Sequence, residues 1–370
     1  MSKPRSKLNI IFFSVVIGFL AGGIILKLAG YSPIEVYFIM LKGTFGSLKF
    51  VSYGILKATP LILTGLSVMF AFRTGLFNIG AEGQFIVGSI VAASMGYYLH
   101  LPAIIHPIVI LVIATIAGGL WGGIAGFFKA KFGVNEVIST IMLNWIALYL
   151  SNYVVAIESF ARRTNVTHSI QSTASIRLLG EWKKTEAGLD WLSGHPMLFD
   201  LFKTQINFGI VVAILAVVLS GFILNKTTLG YSLKAVGYNK HAAEFGGIDV
   251  KKKVFTSMFI AGAISGLAGA LQVLGVSQNL STLAAMEGYG FDGIAVALMG
   301  ANTPLGCLFS GLFFGALKYG GTKIQTPPIN APSETVNIMV GIIVLFIAMP
   351  KLFDVIKKKL AERKRVKMDD

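Results

Sequence analysis

The sequence predicts an all-α polytopic membrane protein of about ten transmembrane helices, with both termini inside and a possible internal duplication. Three observations carry this. Apolar runs of 18 or more residues recur along the chain, the length a helix needs to cross a hydrocarbon core of about 30 Å. Only 13% of residues are charged and 54% are hydrophobic, with mean hydropathy +0.73, where soluble domains carry roughly 25% charged residues. About 20 of the 32 basic residues fall in one alternate set of loops and the two ends, the positive-inside pattern. That placement directs the net charge of +15 towards membrane lipid rather than nucleic acid. Unbroken apolar runs exclude a β-barrel, whose strands alternate over about ten residues.

Lys3, Arg5 and Lys7 precede an apolar run over 8–28. The run is too long for a typical secretory signal and lacks a small-x-small cleavage site, so it reads as a retained first span. Segment 31–50 is mixed and is expected on, or dipping into, the outer surface. Span two covers 51–72, with Pro60 as a kink. The stretch RTGLFNIGAEGQF, 73–85, then sets three glycines and several polar groups at a membrane boundary. Spans three to five follow over 82–98, 101–128 and 137–157, with Asn135 and Glu136 starting the last. Residues 158–205 are the only large hydrophilic stretch, nearly balanced in charge and carrying Trp182 and Trp191. They are expected to be extracytoplasmic.

Span six, 206–224, leads into a basic elbow, 226–253, and span seven, 254–276, leaves it. Lys226, Lys234, Lys240, Lys251, Lys252 and Lys253 mark the elbow as cytoplasmic. It reads as two short helices, the first over about 231–236 and ending at Gly237. The second is capped by Asn239 and stopped by Gly246 and Gly247. Segment 278–288 is an outer turn. Two short apolar segments, 289–300 and 304–319, resemble broken helices lining a cavity. The last span covers 335–349, and the basic tail from Lys351 is expected on anionic lipid. The whole chain, 1–370, reads as one transmembrane domain. The small-xxx-small pairs Gly18/Gly22, Gly118/Gly122, Gly119/Gly123, Gly262/Gly266 and Gly311/Gly315 are expected to pack helices within it.

No G-x-x-x-x-G-K-[ST] or H-E-x-x-H occurs, and the five histidines are scattered. Cys307 is the only cysteine, which excludes an intrachain disulfide and a cysteine metal site. The chain does not read as an enzyme. Ionisable residues within spans are Lys27, Lys57, Glu82, Asp292 and Lys318. Glu82 and Asp292 sit beside glycines, either lining a path or pairing with Arg73 or capping a neighbouring helix.

Four blocks, FNIGAEGQF (77–85), NEVISTIMLNWIALYLSNY (135–153), LGYSLKAVGYNKHAAEFGGI (229–248) and GYGFDGIAVALMG (288–300), together resemble the permease subunit of bacterial ABC importers of the ribose and nucleoside branch. Their similarity is greatest to the larger permease of purine-nucleoside importers. The resemblance implies that the elbow docks into a cytoplasmic ATPase through Gly230, Leu233, Lys234, Ala235, Gly237, Asn239, Ala242, Ala243 and Gly247. Lys234 stands where the pattern usually has Arg, keeping charge but losing bidentate pairing.

It further implies a second permease, an ABC ATPase using ATP and Mg, an extracellular lipid-anchored binding protein, a multi-pass place in the bacterial cytoplasmic membrane, and no cofactor on this chain. A nucleoside path needs hydrogen-bonding groups and an aromatic face. The candidates are Asn78, Glu82, Gln84, Asn144, Asn152, Gln272, Phe291 and Asp292, with Phe77 and Trp145. An ABC permease for a simple sugar such as ribose, and an ion-coupled secondary transporter, are the alternatives.

Overall fold

The computed structural model describes residues 4–348. The basic tail from Lys351 lies outside the described residues, as do Lys3 and the end of the last predicted span. The fold is mostly helical, with one short hairpin of β1 (Ala161–Arg163) and β2 (Val166–Thr167). It divides into two compact units.

The smaller unit joins the two ends of the chain, up to Gly46 and from Leu317. In it α1 (Pro4–Leu28) turns through 117° into α2 (Pro33–Phe45). A side chain at Gly18 or Gly22 would meet Ile343 of α15 (Ser333–Ala348), so this predicted pair does pack within the chain. Tyr37 Oη donates to the Phe19 carbonyl at 2.6 Å.

The larger unit, Ser47–Ala316, contains α3 (Leu48–Arg73), α4 (Ala81–Tyr98), α5 (Ile105–Phe132), α6 (Glu136–Val155), α7 (Glu186–Ser193), α8 (Pro196–Phe202) and α9 (Gly209–Lys226). The elbow helices α10 (Thr228–Tyr238) and α11 (Lys240–Phe245) follow. Then come α12 (Val250–Gln272), α13 (Tyr289–Met299) and the start of α14 (Pro304–Lys323). Helix α12 is the core, packed against α3, α4 and α5, and it ends in a π-turn over Val273–Ser277.

The α5–α12 crossing is built on glycine. A Cβ at Gly118 would lie 2.5 Å from the Gly262 carbonyl oxygen and 2.6 Å from Gly266 Cα. One at Gly266 would lie 2.8 Å from Gly118 Cα. The two backbones therefore touch, which dispersion in lipid favours and any larger residue prevents. By contrast α6 and α9 are only 28% buried along their apolar windows, against 83% for α3. Their outward residues, among them Ile146, Leu150, Leu215 and Val218, are those a hydrocarbon surface accepts.

Among the described residues five helices are long and apolar enough to cross a membrane: α3, α5, α6, α9 and α12 with its π-turn. The number is six if the bent pair α1–α2 counts as one span. The sequence reading of about ten goes beyond this. Helix α13, with 11 residues, reaches about 16 Å, half a hydrocarbon core.

Candidate functional site

The elbow is a run of short helices, each with its own cap. The Thr227 hydroxyl accepts from Gly230 N–H at 3.1 Å and starts α10. The Asn239 carboxamide oxygen accepts from His241 and Ala242 N–H at 3.0 and 3.1 Å and starts α11. Gly247, at φ +80°, lets the chain reverse, and Asp249 accepts from Lys252 N–H at 3.0 Å to start α12. The predicted N-cap at Asn239 is therefore present.

The predicted stop at Gly237 is not. Helix α10 begins three residues earlier than predicted and runs through Gly237 to Tyr238. Gly237 instead allows close approach: a Cβ there would lie 3.0 Å from the carbonyl carbons of both Arg73 and Thr74. The elbow thus rests backbone to backbone on the turn that leaves α3.

Gly230, Leu233 and Ala243 face inward and hold the elbow on the protein. Lys234 and Ala235 are half-buried, while Gly237, Asn239, Ala242 and Gly247 are exposed. The largest outward groups are ones the sequence reading passed over: Tyr231 at 71% exposure, Tyr238 at 85% and Phe245 at 97%. A seven-residue repeat of aromatics in a polar elbow was the available signal, since positions 231 and 238 share a helix face. Two clefts flank Tyr238. One, of about 420 Å³, includes Lys129, Glu136 and His241; the other, of about 270 Å³, includes Arg73, Lys234 and Asn302.

Of the predicted path residues, Asn78, Glu82, Gln84 and Asn144 gather at the start of α4, all at most 1% exposed. Asn78 and Gln84 pair amide to amide at 3.0 and 3.1 Å, and Asn78 also donates to the Ser67 hydroxyl. Asn144 accepts from Gly83 N–H at 2.8 Å and donates to the Ile79 carbonyl at 3.0 Å, tying α6 to α4. Glu82 accepts from Gly288 N–H at 2.8 Å and from Gly290 N–H at 2.5 Å. Its carboxylate therefore caps α13, where an anion opposes the positive end of the helix. A Cβ at Gly290 would strike the Ala81–Glu82 backbone, so only glycine lets the two helix starts meet. Asp292 lies in the first turn of α13, half-buried.

Asn152 and Gln272 form a separate group at the other end of α6 and α12. Asn152 donates to the Leu283 carbonyl at 3.0 Å and accepts from Leu283 N–H at 2.8 Å. Phe291 and Trp145 are exposed, at 42% and 48%, and Phe77 is half-buried. The candidates therefore do not form one site. Among the described residues no group of three or more His, Cys, Asp or Glu is placed to hold a metal.

The long loop between α6 and α9 grips the end of α12. Arg177 Nε donates to the Gly275 carbonyl at 2.9 Å and its Nη2 donates to the Val276 carbonyl, oxygens that the π-turn presents. Lys183 Nζ donates to the Phe202 and Thr204 carbonyls at 2.8 and 2.9 Å. Burial pushes the pKa of both cations below the ordinary value.

Residues 50–348 match the family described as "Branched-chain amino acid transport system / permease component". The chain is 40% identical over 98% of its length, and 99% of the relative's, to the guanosine ABC transporter permease protein NupP of Bacillus subtilis. It is 35% identical to the nucleoside ABC transporter permease protein NupB of Lactococcus lactis, over 97% of this chain and 95% of that one. It is 30% identical to the glucose ABC transporter permease protein TsgB13 of Haloferax volcanii, over 92% and 87%. No solved structure matches. With its membrane-length helices, the chain belongs to this permease family of ABC transporters and is a multi-pass protein of the cytoplasmic membrane.

Proposed function

We propose that this chain is the permease of an ATP-driven importer that moves nucleosides, guanosine among them, into the cell by alternating access. The observation that carries the reading is the 40% identity to a guanosine permease along nearly the whole of both chains. The chain crosses the membrane about ten times with both termini inside. The elbow, 226–253, faces the cytoplasm and docks on an ABC ATPase through Tyr231, Tyr238 and Phe245 and the two clefts beside them. ATP and Mg are used there, and this chain holds no cofactor. The loop 158–205 faces outward and receives a lipid-anchored binding protein, and a second permease completes the membrane part.

Closure of the ATPase would move the elbow as a rigid body, and α12, which starts at its end, would carry that movement through the bundle. Family membership sets the ion-coupled reading aside. The simple-sugar reading retains one support, the 30% identity to a glucose permease. Uptake of labelled guanosine with and without the gene, with unlabelled adenosine and ribose as competitors, separates the two. Loss on deletion, blocked by adenosine and not by ribose, is expected. Unchanged guanosine uptake in a cell with no second nucleoside importer would overturn the nucleoside reading and leave the ABC permease assignment intact.

A further inference from the structure

A cleft of about 70 Å³ opens between α4, α6 and the end of α12. Its floor is Phe85, Ile86 and Ser89 of α4, and its walls are Ser151 of α6 and Gln272 of α12. Its roof is the segment between the π-turn and α13, which contributes Asn279 and Glu287. Ser151 is only 1% exposed, and among the described residues its hydroxyl has no hydrogen-bond partner, although it lines the cleft. The half-buried Gln272 amide has none either. Both groups open onto the cleft, so their hydrogen-bonding capacity is turned towards whatever enters it.

The roof is held in place rather than draped. Asn152 clasps Leu283 from both sides, while Leu280 N–H donates to the Thr167 hydroxyl and the Leu280 carbonyl accepts from Thr167 N–H, each at 3.0 Å. The cleft is thus a preformed polar pocket over an aromatic floor, with Phe85 2% exposed and its ring 5.2 Å from that of Tyr289.

This chemistry selects its ligand. A lining without Lys or Arg disfavours a phosphate, and an alkyl side chain would leave Ser151 and Gln272 unpaired. A hydroxylated ring satisfies both and lays its apolar face on Phe85. A cavity that binds benzene measures about 150 Å³, so this cleft takes the hydroxyl-bearing edge of a sugar and not a whole nucleoside. We propose that this cleft is a subsite in the permease for the ribose hydroxyls of the transported nucleoside, read by Ser151 and Gln272 with the base towards the opening. The assignment rests on the nucleoside reading above.

The test uses cells carrying the intact transporter with Ser151→Ala, Gln272→Leu or Asn279→Ala in this chain, each checked for wild-type amounts in the membrane. Uptake is measured for guanosine, 2′-deoxyguanosine, 3′-deoxyguanosine and free ribose. The binding protein is unchanged throughout, so any change in the ratio of guanosine to a deoxyguanosine arises in the permease. Loss of one hydrogen bond is worth about three- to tenfold. Ser151→Ala and Gln272→Leu should lower guanosine uptake by that factor and change at least one deoxyguanosine by less than about twofold. Equal losses for all three nucleosides, or no loss, would overturn the subsite while leaving the nucleoside reading intact. Uptake of ribose but of no nucleoside by the wild type would overturn the nucleoside reading. In that case a drop in ribose uptake in the same variants would keep the hydroxyl site.

Discussion

Replacing Gly118 by alanine, and Gly119 by alanine in a separate variant, makes one chemical change at adjacent positions of α5 with different surroundings. The new Cβ at 118 would lie 2.5 Å from the Gly262 carbonyl oxygen and 2.6 Å from Gly266 Cα. Ordinary contact begins near 3.4 Å, so the helices must part by about 0.8 to 0.9 Å. Both obstacles are backbone and cannot rotate away. At 119 the Cβ would meet the far end of the Phe259 ring, at 2.9 Å from Cζ, and a small swing of that side chain about χ1 relieves it. Each change gains about 1 kcal/mol of helix propensity. Overpacking costs typically 1–3 kcal/mol, at its full value only where nothing can yield. Gly118→Ala should therefore melt with a net loss of about 1–2 kcal/mol, and Gly119→Ala within about 1 kcal/mol of wild type or above it. Thermal unfolding of the detergent-purified transporter reads the difference, with uptake per inserted molecule as the functional companion. Equal melting of the two variants would refute the claim that α5 and α12 meet backbone to backbone.

Asn152→Ala removes two hydrogen bonds to Leu283 and should speed hydrogen exchange in segment 278–288 by about tenfold or more; unchanged exchange would count against the clasp. Tyr238→Ala and Phe245→Ala alter side chains almost wholly exposed, so stability should stay within about 0.5 kcal/mol while ATPase co-purification and uptake fall. Stable, fully active variants would remove these residues from the docking surface. Ala243→Asp is different in kind: Ala243 is 5% exposed and faces the protein, so this variant should lower stability itself by about 3 kcal/mol or more, visible as a lower melting point. Lys183 titrates below its unfolded value of 10.5, so between the two values the unfolded loop binds more protons. Resistance of the long loop to proteolysis should therefore rise with pH through that window, and Lys183→Met should abolish the slope; a wild-type resistance that falls there would contradict the burial argument.

What the sequence made legible was local. Asn135 and Asn239 are caps where a short polar acceptor precedes an apolar or helical run, and a cap acts within three residues. The glycine pairs of α5 and α12 were visible as spacing, and the structure gives them each other as partners. What stayed hidden was long-range. Capping of a neighbouring helix was one reading of Glu82, but which helix was not legible: its start lies 206 residues away. Gly237 carries the signature of a helix stop, but it instead touches Arg73, 164 positions away in the chain, a contact that overrides the local preference. The exposed aromatics of the elbow were overlooked for the opposite reason: aromatics in a membrane protein read as packing until exposure is known.

Helix α12 explains why these separate features belong to one device. It starts at the Asp249 cap, in the last residues of the elbow, and runs with its π-turn for 28 residues, about 42 Å at 1.5 Å per residue. A helix resists compression along its axis, so an ångström of movement at Asp249 reappears at the far end unless the ladder yields. The one place where the ladder is already altered is the π-turn at Val273–Ser277, and that is where Arg177 holds the carbonyls of Gly275 and Val276. Gln272 and Val273, on the wall of the polar cleft, sit at the same joint. On the proposed mechanism, movement of the elbow would change the cleft and the grip of the long loop together. By reciprocity, a ligand that prefers one position of Gln272 must bias the elbow by the same free energy. The glycine face shared with α5 supplies the remaining requirement, since a seam without side chains is one along which α12 can slide while both backbones stay in contact.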